Sequence, residues 1–262
     1  MSTHKKRLFG KSCIVTGAAR GLGAQIARTF CEHGAKVLIT DIDEVTGRDT
    51  ANKIDAVFAA QDVTDEQSWE KIIQICESEF GELDVLVNNA GLAQTGEGLS
   101  PEDSSLAAWK RMFTVNVEGV FLGCRAALPA MRESGGGSII NMSSLAALVP
   151  TPFFTAYGAS KAAVTHLSTS VAMHGAPDEI RCNTVHPGQI QTDMHNALVA
   201  DASAKSGAPL AAVEADFASR IPMGKFQQAE DVANMVLFLA SDESAQITGT
   251  QMVVDGGMQL TN

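Results

Sequence analysis

Residues 13–30 read Cys13-Ile14-Val15-Thr16-Gly17-Ala18-Ala19-Arg20-Gly21-Leu22-Gly23-Ala24-Gln25-Ile26-Ala27-Arg28-Thr29-Phe30. A short apolar run rich in β-branched residues passes through three glycines into a stretch of helical spacing, which is how a βαβ unit begins. The glycines let the backbone turn tightly and approach a ligand, and the free N–H groups and dipole of a helix start favour a pyrophosphate there. The spacing is GxxxGxG rather than GxGxxG, and in a chain with 23 glycines a plain tight turn would look the same. The context adds weight. The next strand, Lys36 to Thr40, leads into Asp41, eighteen residues beyond Gly23. A carboxylate there would meet the adenosine ribose hydroxyls and repel the 2′-phosphate of NADP. Arg20 could instead pair with that phosphate, but Asp41 is the better placed of the two, so NAD is the expected cofactor. Asp62, after the third strand, reads either as a partner for the adenine amino group or as an ordinary acid at a helix start.

The rest of the chain repeats the alternation. Strands are predicted at Ser12 to Thr16, Lys36 to Thr40, Ala56 to Ala60, Val85 to Val87, Ser138 to Met142, Arg181 to Val185 and Gln251 to Val254. Several are continuous apolar runs, as strands covered on both faces should be. Helices are predicted at Gly23 to His33, Asp65 to Phe80, Leu106 to Met131, Ala156 to His174 and Ala229 to Leu239. No repeat and no proline-rich linker divides the chain, so one α/β domain over 1–262 is expected. The stretch from Gln191 to Lys225 has no clear strand and reads as an insertion over the sheet's edge, a common form for a lid.

Composition narrows the function. Of 262 residues 45% are hydrophobic and 19% charged, a balance that supports a sizeable core. Thirty acidic against nineteen basic residues give a formal charge of -11, the wrong sign for binding nucleic acid or an anionic membrane. Five cysteines without a CxxC pair suggest neither a disulfide framework nor zinc, and His166, His174, His186 and His195 show no metal-ligand spacing. The opening residues lack a signal peptide's apolar region, and no apolar run is long enough to span a bilayer. A cytoplasmic protein without a metal is expected.

The single tyrosine stands in Tyr157-Gly158-Ala159-Ser160-Lys161, which puts Tyr157 and Lys161 on one face of a helix. A phenol of pKa about 10 needs help at neutral pH. An ammonium roughly 4 Å away, at an effective dielectric near 20, contributes about 4 kcal/mol and brings a phenolate within reach. Upstream, Ser143 and Ser144 end a central strand, at the sheet edge where open α/β folds bind ligands.

These segments together resemble the short-chain dehydrogenase/reductase family, with its hydroxysteroid and cyclic-alcohol branch suggested by Asn183 to Gly188. The resemblance runs from Thr16–Gly23 through Asn88-Asn89-Ala90-Gly91, Asn116, Ser144, Tyr157 and Lys161 to Pro187–Thr192 and Val254-Asp255-Gly256-Gly257. It implies a single Rossmann-like, doubly wound domain with a seven-stranded parallel sheet, and an oxidoreductase using NAD(P). It also implies a catalytic tetrad of Asn116, Ser144, Tyr157 and Lys161, with Ser143 lining the nucleotide side. Tyr157 would exchange the proton, Ser144 would hold the substrate oxygen, Lys161 would lower the phenol's pKa and bind the nicotinamide ribose, and Asn116 would hold a water. The implied cofactor contacts are Gly17, Arg20, Gly21, Leu22, Gly23, Asp41, Asp62, Val63, Asn89, Ala90, Gly91, Tyr157, Lys161, Pro187, Gly188, Ile190 and Thr192. A homotetramer is also implied, pairing the helices that hold Asn116 and Tyr157.

The expected substrate is a hydrophobic secondary alcohol or its ketone, cyclic or steroid-like. Leu145 to Phe154 lies between Ser144 and Tyr157, is apolar almost throughout, and offers no cation for a phosphate or carboxylate. Met194, beside Thr192, is a further candidate for the pocket border. Two other readings are an NADPH-dependent reductase of carrier-bound β-keto thioesters, which Arg20 permits and Asp41 opposes, and a non-catalytic nucleotide-sensing interaction protein, which an intact tetrad opposes.

Overall fold

The computed structural model describes residues 6–93, 100–191 and 193–261, apart from the side chains of residues 193 and 194. Seven parallel strands form one sheet: β1 (Ser12–Thr16), β2 (Lys36–Asp41), β3 (Val57–Ala60), β4 (Val85–Asn88), β5 (Gly137–Met142), β6 (Ile180–Pro187) and β7 (Gln251–Val254). Their order across the sheet is β3-β2-β1-β4-β5-β6-β7, so the chain winds outward in both directions from the β1–β4 pair. This is the doubly wound, Rossmann-like α/β fold expected from the sequence, in one domain.

Alternation along each strand divides the core into two layers. Cys13 and Val15 of β1 face one side, with Val37, Ile39, Val87 and Ile140 from neighbouring strands. They pack there on Ile26 and Phe30 of α1 (Gly21–Glu32) and on Val232 and Val236 of a C-terminal helix, Ala229–Ala240. Ile14, Leu38, Leu86 and Ile139 face the other side. Their partners are Trp69 and Ile72 of Glu66–Phe80, Val120 and Met131 of Gly119–Glu133, and Val164 of Thr155–Gly175. Every residue of β1 is buried, because helices cover both faces.

In chain order the remaining helices are α2 (Glu44–Ile54), α3 (Glu66–Phe80), α4 (Leu106–Phe113), α5 (Gly119–Glu133), α6 (Thr155–Gly175), α7 (Asp193–Ser206), α8 (Leu210–Ser219) and α9 (Ala229–Ala240). The structure departs from the sequence reading in three places. Helix α2 was not expected, for it buries only Gly47, Ala51 and Ile54 and leaves a weak apolar stripe; its local signal is Asp43, which caps it by accepting from the Thr46 N–H at 3.1 Å. The single helix predicted from Leu106 to Met131 is broken by a π turn over Thr114–Glu118. The insertion from Gln191 to Lys225 folds as α7 and α8, and His195, Leu198 and Phe217 from it line the same cavity as the strand-end residues Asp41, Met142 and Pro187.

Close approach between α5 and the sheet depends on Gly123. A Cβ there would lie 2.3 Å from Asn88 Oδ1 and 2.7 Å from the Trp69 ring, both in the packed interior. Gly123→Ala is expected to lower stability by about 1–3 kcal/mol through overpacking. Chemical denaturation with an unchanged m-value checks it.

Candidate active site

The glycine turn between β1 and α1 is held by the end of β4. The Thr16 hydroxyl accepts from the N–H groups of Asn89 (3.1 Å) and Ala90 (3.0 Å). The Asn89 side-chain amide donates to the carbonyls of Thr16 (2.9 Å) and Gly17 (3.0 Å). Asn89, expected to touch a cofactor, thus straps the cradle to β4 while also lining the cavity. Gly17 has φ +62°, and a Cβ on it would sit 2.7 Å from Ala90 Cα; a Cβ on Gly23 would sit 2.4 Å from the Gly17 carbonyl oxygen. No other residue fits either position.

Asp41 ends β2 with one carboxylate oxygen accepting from the Ala19 N–H and the other from the Asp43 N–H, both at 3.0 Å. Arg20 does not stand free to meet a phosphate. Its guanidinium lies 2.6 Å from Asp43, whose carboxyl is held below its ordinary pKa by hydrogen bonds from Thr46, with the Arg20 charge contributing. Asp62 is exposed and accepts from the N–H and hydroxyl of Thr64, and buried Val63 follows it along the cavity wall.

The other end of the cavity holds the expected tetrad. The side chain of Ser144 acts on the Tyr157 phenol to favour its ionised form, but burial is the larger influence and raises the phenol's pKa. The Lys161 ammonium lies 5.8 Å from the centre of the Tyr157 ring and donates to the Met142 carbonyl at 2.8 Å. The Met142 carbonyl is thus a partner for the ammonium that the i, i+4 spacing alone does not predict. Lys161 is itself shifted, for burial pulls its pKa to about 8. Asn116, fully buried in the π turn, donates to the Leu92 carbonyl (2.9 Å) and accepts from the Leu92 N–H (2.7 Å), and also donates to Ser160 Oγ (3.1 Å). Ser143 turns inward, donating to the Lys161 carbonyl at 3.0 Å and meeting Thr165 Oγ1 at 2.9 Å. It secures α6 to the end of β5.

The cavity joining these two ends has a volume of about 1170 Å³. Pockets for drug-sized ligands commonly span roughly 300–1,000 Å³, so a dinucleotide and a substrate can share it. Leu22, Gly91, Pro187, Gly188 and Ile190 line it. Thr192 lies outside the described residues, as does the side chain of Met194. A Cβ on Gly91 would come within 3.2 Å of Asn116 Oδ1 and 3.4 Å of Lys161 Nζ, so this glycine keeps the lysine open to a bound group. These residues fit a nicotinamide dinucleotide.

Two expectations about the pocket wall need correction. Of Leu145 to Phe154, only Ala146 and Phe154 face the cavity; Leu145 packs with Ile221 and Met258, and Phe153 is 68% exposed. The apolar wall is completed by Leu198 and Phe217 of α7 and α8, with His195 beside them. The cavity also has a cation that the segment lacks, Arg111 of α4. Neither Arg111 nor buried His186, described below, was legible as a site residue. Arg111 sits within an ordinary helical stripe, and His186 within a strand motif in which only Pro187 and Gly188 stood out.

A crevice at the sheet's switch point with an acid-terminated second strand at one end and a tyrosine, a serine and a lysine at the other suits hydride exchange with a nicotinamide, and this class of oxidoreductase is what fold and site define. The chain belongs to the short-chain dehydrogenase/reductase family: the family model described as enoyl-(acyl carrier protein) reductase matches residues 17–259. It is 40% identical to a trans-4-hydroxycyclohexanecarboxylate dehydrogenase of Sinomonas cyclohexanicum, over 100% of this chain and 98% of the relative. It is 39% identical to a 3-alpha-(or 20-beta)-hydroxysteroid dehydrogenase of Mycobacterium tuberculosis, over 96% of this chain and 90% of the relative. Identity is also 39% to an NADP-dependent (R)-specific alcohol dehydrogenase of Lentilactobacillus kefiri, over 96% and 97%.

The buried ammonium of Lys161 sets a pH-dependent cost. The native lysine titrates near 8 against an ordinary 10.5, so the cost is fully present below about pH 8. Between those values the native state sheds its proton before the unfolded state does, and stability rises with pH. Lys161→Met is therefore expected to stabilise the protein at pH 7, on the order of 1–3 kcal/mol after the lost bond to Met142 is counted. The gain should shrink from pH 8 towards 10.5, which melting temperatures across that range measure.

Proposed function

We propose that the protein is an NAD-dependent dehydrogenase of neutral, apolar, cyclic secondary alcohols, steroid-like rings included. The observation that carries this reading is the Tyr157–Ser144 pair beside a wall of Ala146, Phe154, Leu198 and Phe217. Two hydroxyls beside an apolar concavity recognise one oxygen on a hydrophobic ring. The printed activities of the cyclohexanecarboxylate and hydroxysteroid relatives support the same substrate class.

When bound, NAD supplies the acceptor for the hydride that leaves the carbinol carbon. Tyr157 takes the hydroxyl proton as general base and returns it in the reductive direction. Ser144 holds the substrate oxygen by hydrogen bond. Lys161 would hold the nicotinamide ribose, and Asn116 fixes the Leu92 backbone that borders it. The lid of α7 and α8 closes the ring pocket from water. Because burial raises the Tyr157 pKa, the oxidation rate is expected to climb into the alkaline range.

NAD is favoured over NADP because Asp41, Asp43 and Asp62 gather at one end of the cavity while Arg20 is already paired. One observation favours a second reading. Arg111 lines the cavity and makes no ion pair among the described residues, which suits a ring alcohol bearing a carboxylate. Assaying cyclohexanol, a hydroxysteroid and trans-4-hydroxycyclohexanecarboxylate with wild type and Arg111→Ala separates the two. We also assign a homotetramer, with Phe121 of α5 (45% exposed) and Met173 of α6 (81% exposed) as apolar contacts, and the cytoplasm as its compartment, in keeping with five free thiols. Light scattering that found only monomer would overturn the former.

Two outcomes are expected. The kcat/KM should be higher with NAD than with NADP, and Asp41→Ser should narrow the gap; a wild-type preference for NADP would refute the assignment. Tyr157→Phe should lower kcat by roughly 10²–10⁴-fold, with NAD affinity by calorimetry almost unchanged.

A further inference from the structure

His186 is fully buried near the end of β6, next to the proton-transfer residues but outside the cavity. Its Nδ1 lies 3.0 Å from the Ser144 carbonyl oxygen and its Nε2 lies 2.8 Å from Thr184 Oγ1. A carbonyl can only accept, so Nδ1 carries the hydrogen, and Nε2 of the neutral ring accepts from the Thr184 hydroxyl. Burial lowers the His186 pKa, against the opposing bond to the Ser144 carbonyl and with help from the Lys161 charge, so this neutral tautomer persists.

The bond stands where the sheet runs out of backbone donors. The ladder between β5 and β6 continues past Met142–Val185 to the Ser143 N–H, which donates to the Val185 carbonyl at 2.9 Å. The next β6 residue able to donate back across that pair would be Pro187, which has no N–H. The imidazole of His186 takes over and reaches one residue further, to Ser144. The same carbonyl accepts from the Ala147 N–H at 3.0 Å, so two donors fix the first peptide of the short helix Leu145–Ala147. The Ser144 hydroxyl, which accepts from the Ala146 N–H at 3.1 Å, is oriented by that same turn.

We propose that His186 is a positioning residue for catalysis: through its Nδ1–H it fixes the Ser144 peptide and so holds the Ser144 hydroxyl at the cavity wall it shares with Tyr157. It touches no reacting atom and acts only through Ser144. This rests on the dehydrogenase chemistry of the family, but not on the identity of the substrate.

Tyr157 is the chain's one tyrosine, so tyrosinate absorbance reports this phenol alone, with neither cofactor nor substrate present. Wild type, His186→Leu, His186→Gln, His186→Asn, Ser144→Ala and the Leu–Ala double variant would be titrated, and kcat with NAD and cyclohexanol measured on each. An asparagine amide can stand where Nδ1 stands, whereas a glutamine amide reaches towards Nε2. His186→Leu and His186→Gln are expected to move the tyrosinate midpoint upward by about one pH unit, the size of a lost hydrogen bond to a charged oxygen. His186→Asn should keep the wild-type midpoint. The double variant should move no further than Ser144→Ala, because both changes remove one interaction. A wild-type midpoint in His186→Leu, or shifts that add in the double variant, would overturn the proposal. Should His186→Leu fail to fold, the asparagine–glutamine contrast decides, and equal behaviour of those two overturns it. If the phenol titrates beyond the range in which the fold survives, kcat makes the same comparison: a fall of about tenfold for glutamine, rescued by asparagine at unchanged NAD affinity, supports it, and no difference refutes it. Absence of turnover on cyclohexanol by the wild type would count against the substrate reading alone, since the midpoints do not depend on it.

Discussion

β1 and β4 lie side by side in the sheet, yet the chain leaves their ends in opposite directions, towards β2 on one flank and β5 on the other. Nothing in the backbone path closes the gap so created, and a crevice at this point is a geometric necessity of the strand order. What makes the crevice a defined shape is the clamp across its floor. The Thr16 hydroxyl takes two N–H groups from the Asn89–Ala90 turn, and the Asn89 amide returns two bonds to the glycine loop. The missing Cβ of Gly17 lets the turns meet without a clash. The glycine cradle and the turn after β4 take their relative positions from this junction.

The strands are the most legible part of the chain: burial on both faces makes β1 an unbroken apolar run, and even the less buried edge strand β7 starts and stops at Gln251 and Val254 as its apolar residues suggest. Helix α2 escaped because its face against the sheet is made of Gly47, Ala51 and Ile54, too small a stripe to read by periodicity. The π turn at Thr114–Glu118 escaped for another reason. One extra residue in a helical turn changes which side chains face inward, and that follows from the tertiary bonds of Asn116 to Leu92 and Ser160 rather than from local sequence. At the site, residue types were legible and their partners were not. Tyr157 and Lys161 share a helix face, but that spacing could not tell that the ammonium would also bind the Met142 carbonyl. Likewise, Arg20 reads as a phosphate partner until Asp43 is found against it.

Chemistry and stability pull against each other around α6. The ammonium of Lys161, held at 5% exposure, and the phenolate of Tyr157 are both charged groups that burial disfavours. They persist because the surrounding hydrogen bonds leave them no alternative position. Ser143 grips the Lys161 carbonyl, and Ser160 links the Tyr157 carbonyl to Asn116.

The strand order also fixes a timetable for folding. β1 cannot gain its β4 neighbour until some seventy residues more have emerged, and β6 waits for β7 over a similar span. Pairings so distant along the chain form slowly, and the unpaired edges remain exposed meanwhile. During synthesis the nucleotide cradle is therefore present as sequence long before it exists as a shape. Ser144 and Tyr157 follow in the third quarter, and His186 in the strand after them. Helix α9, which covers α1, is among the last segments to emerge, so the first βα unit of a growing chain stays open on one face until synthesis is nearly over.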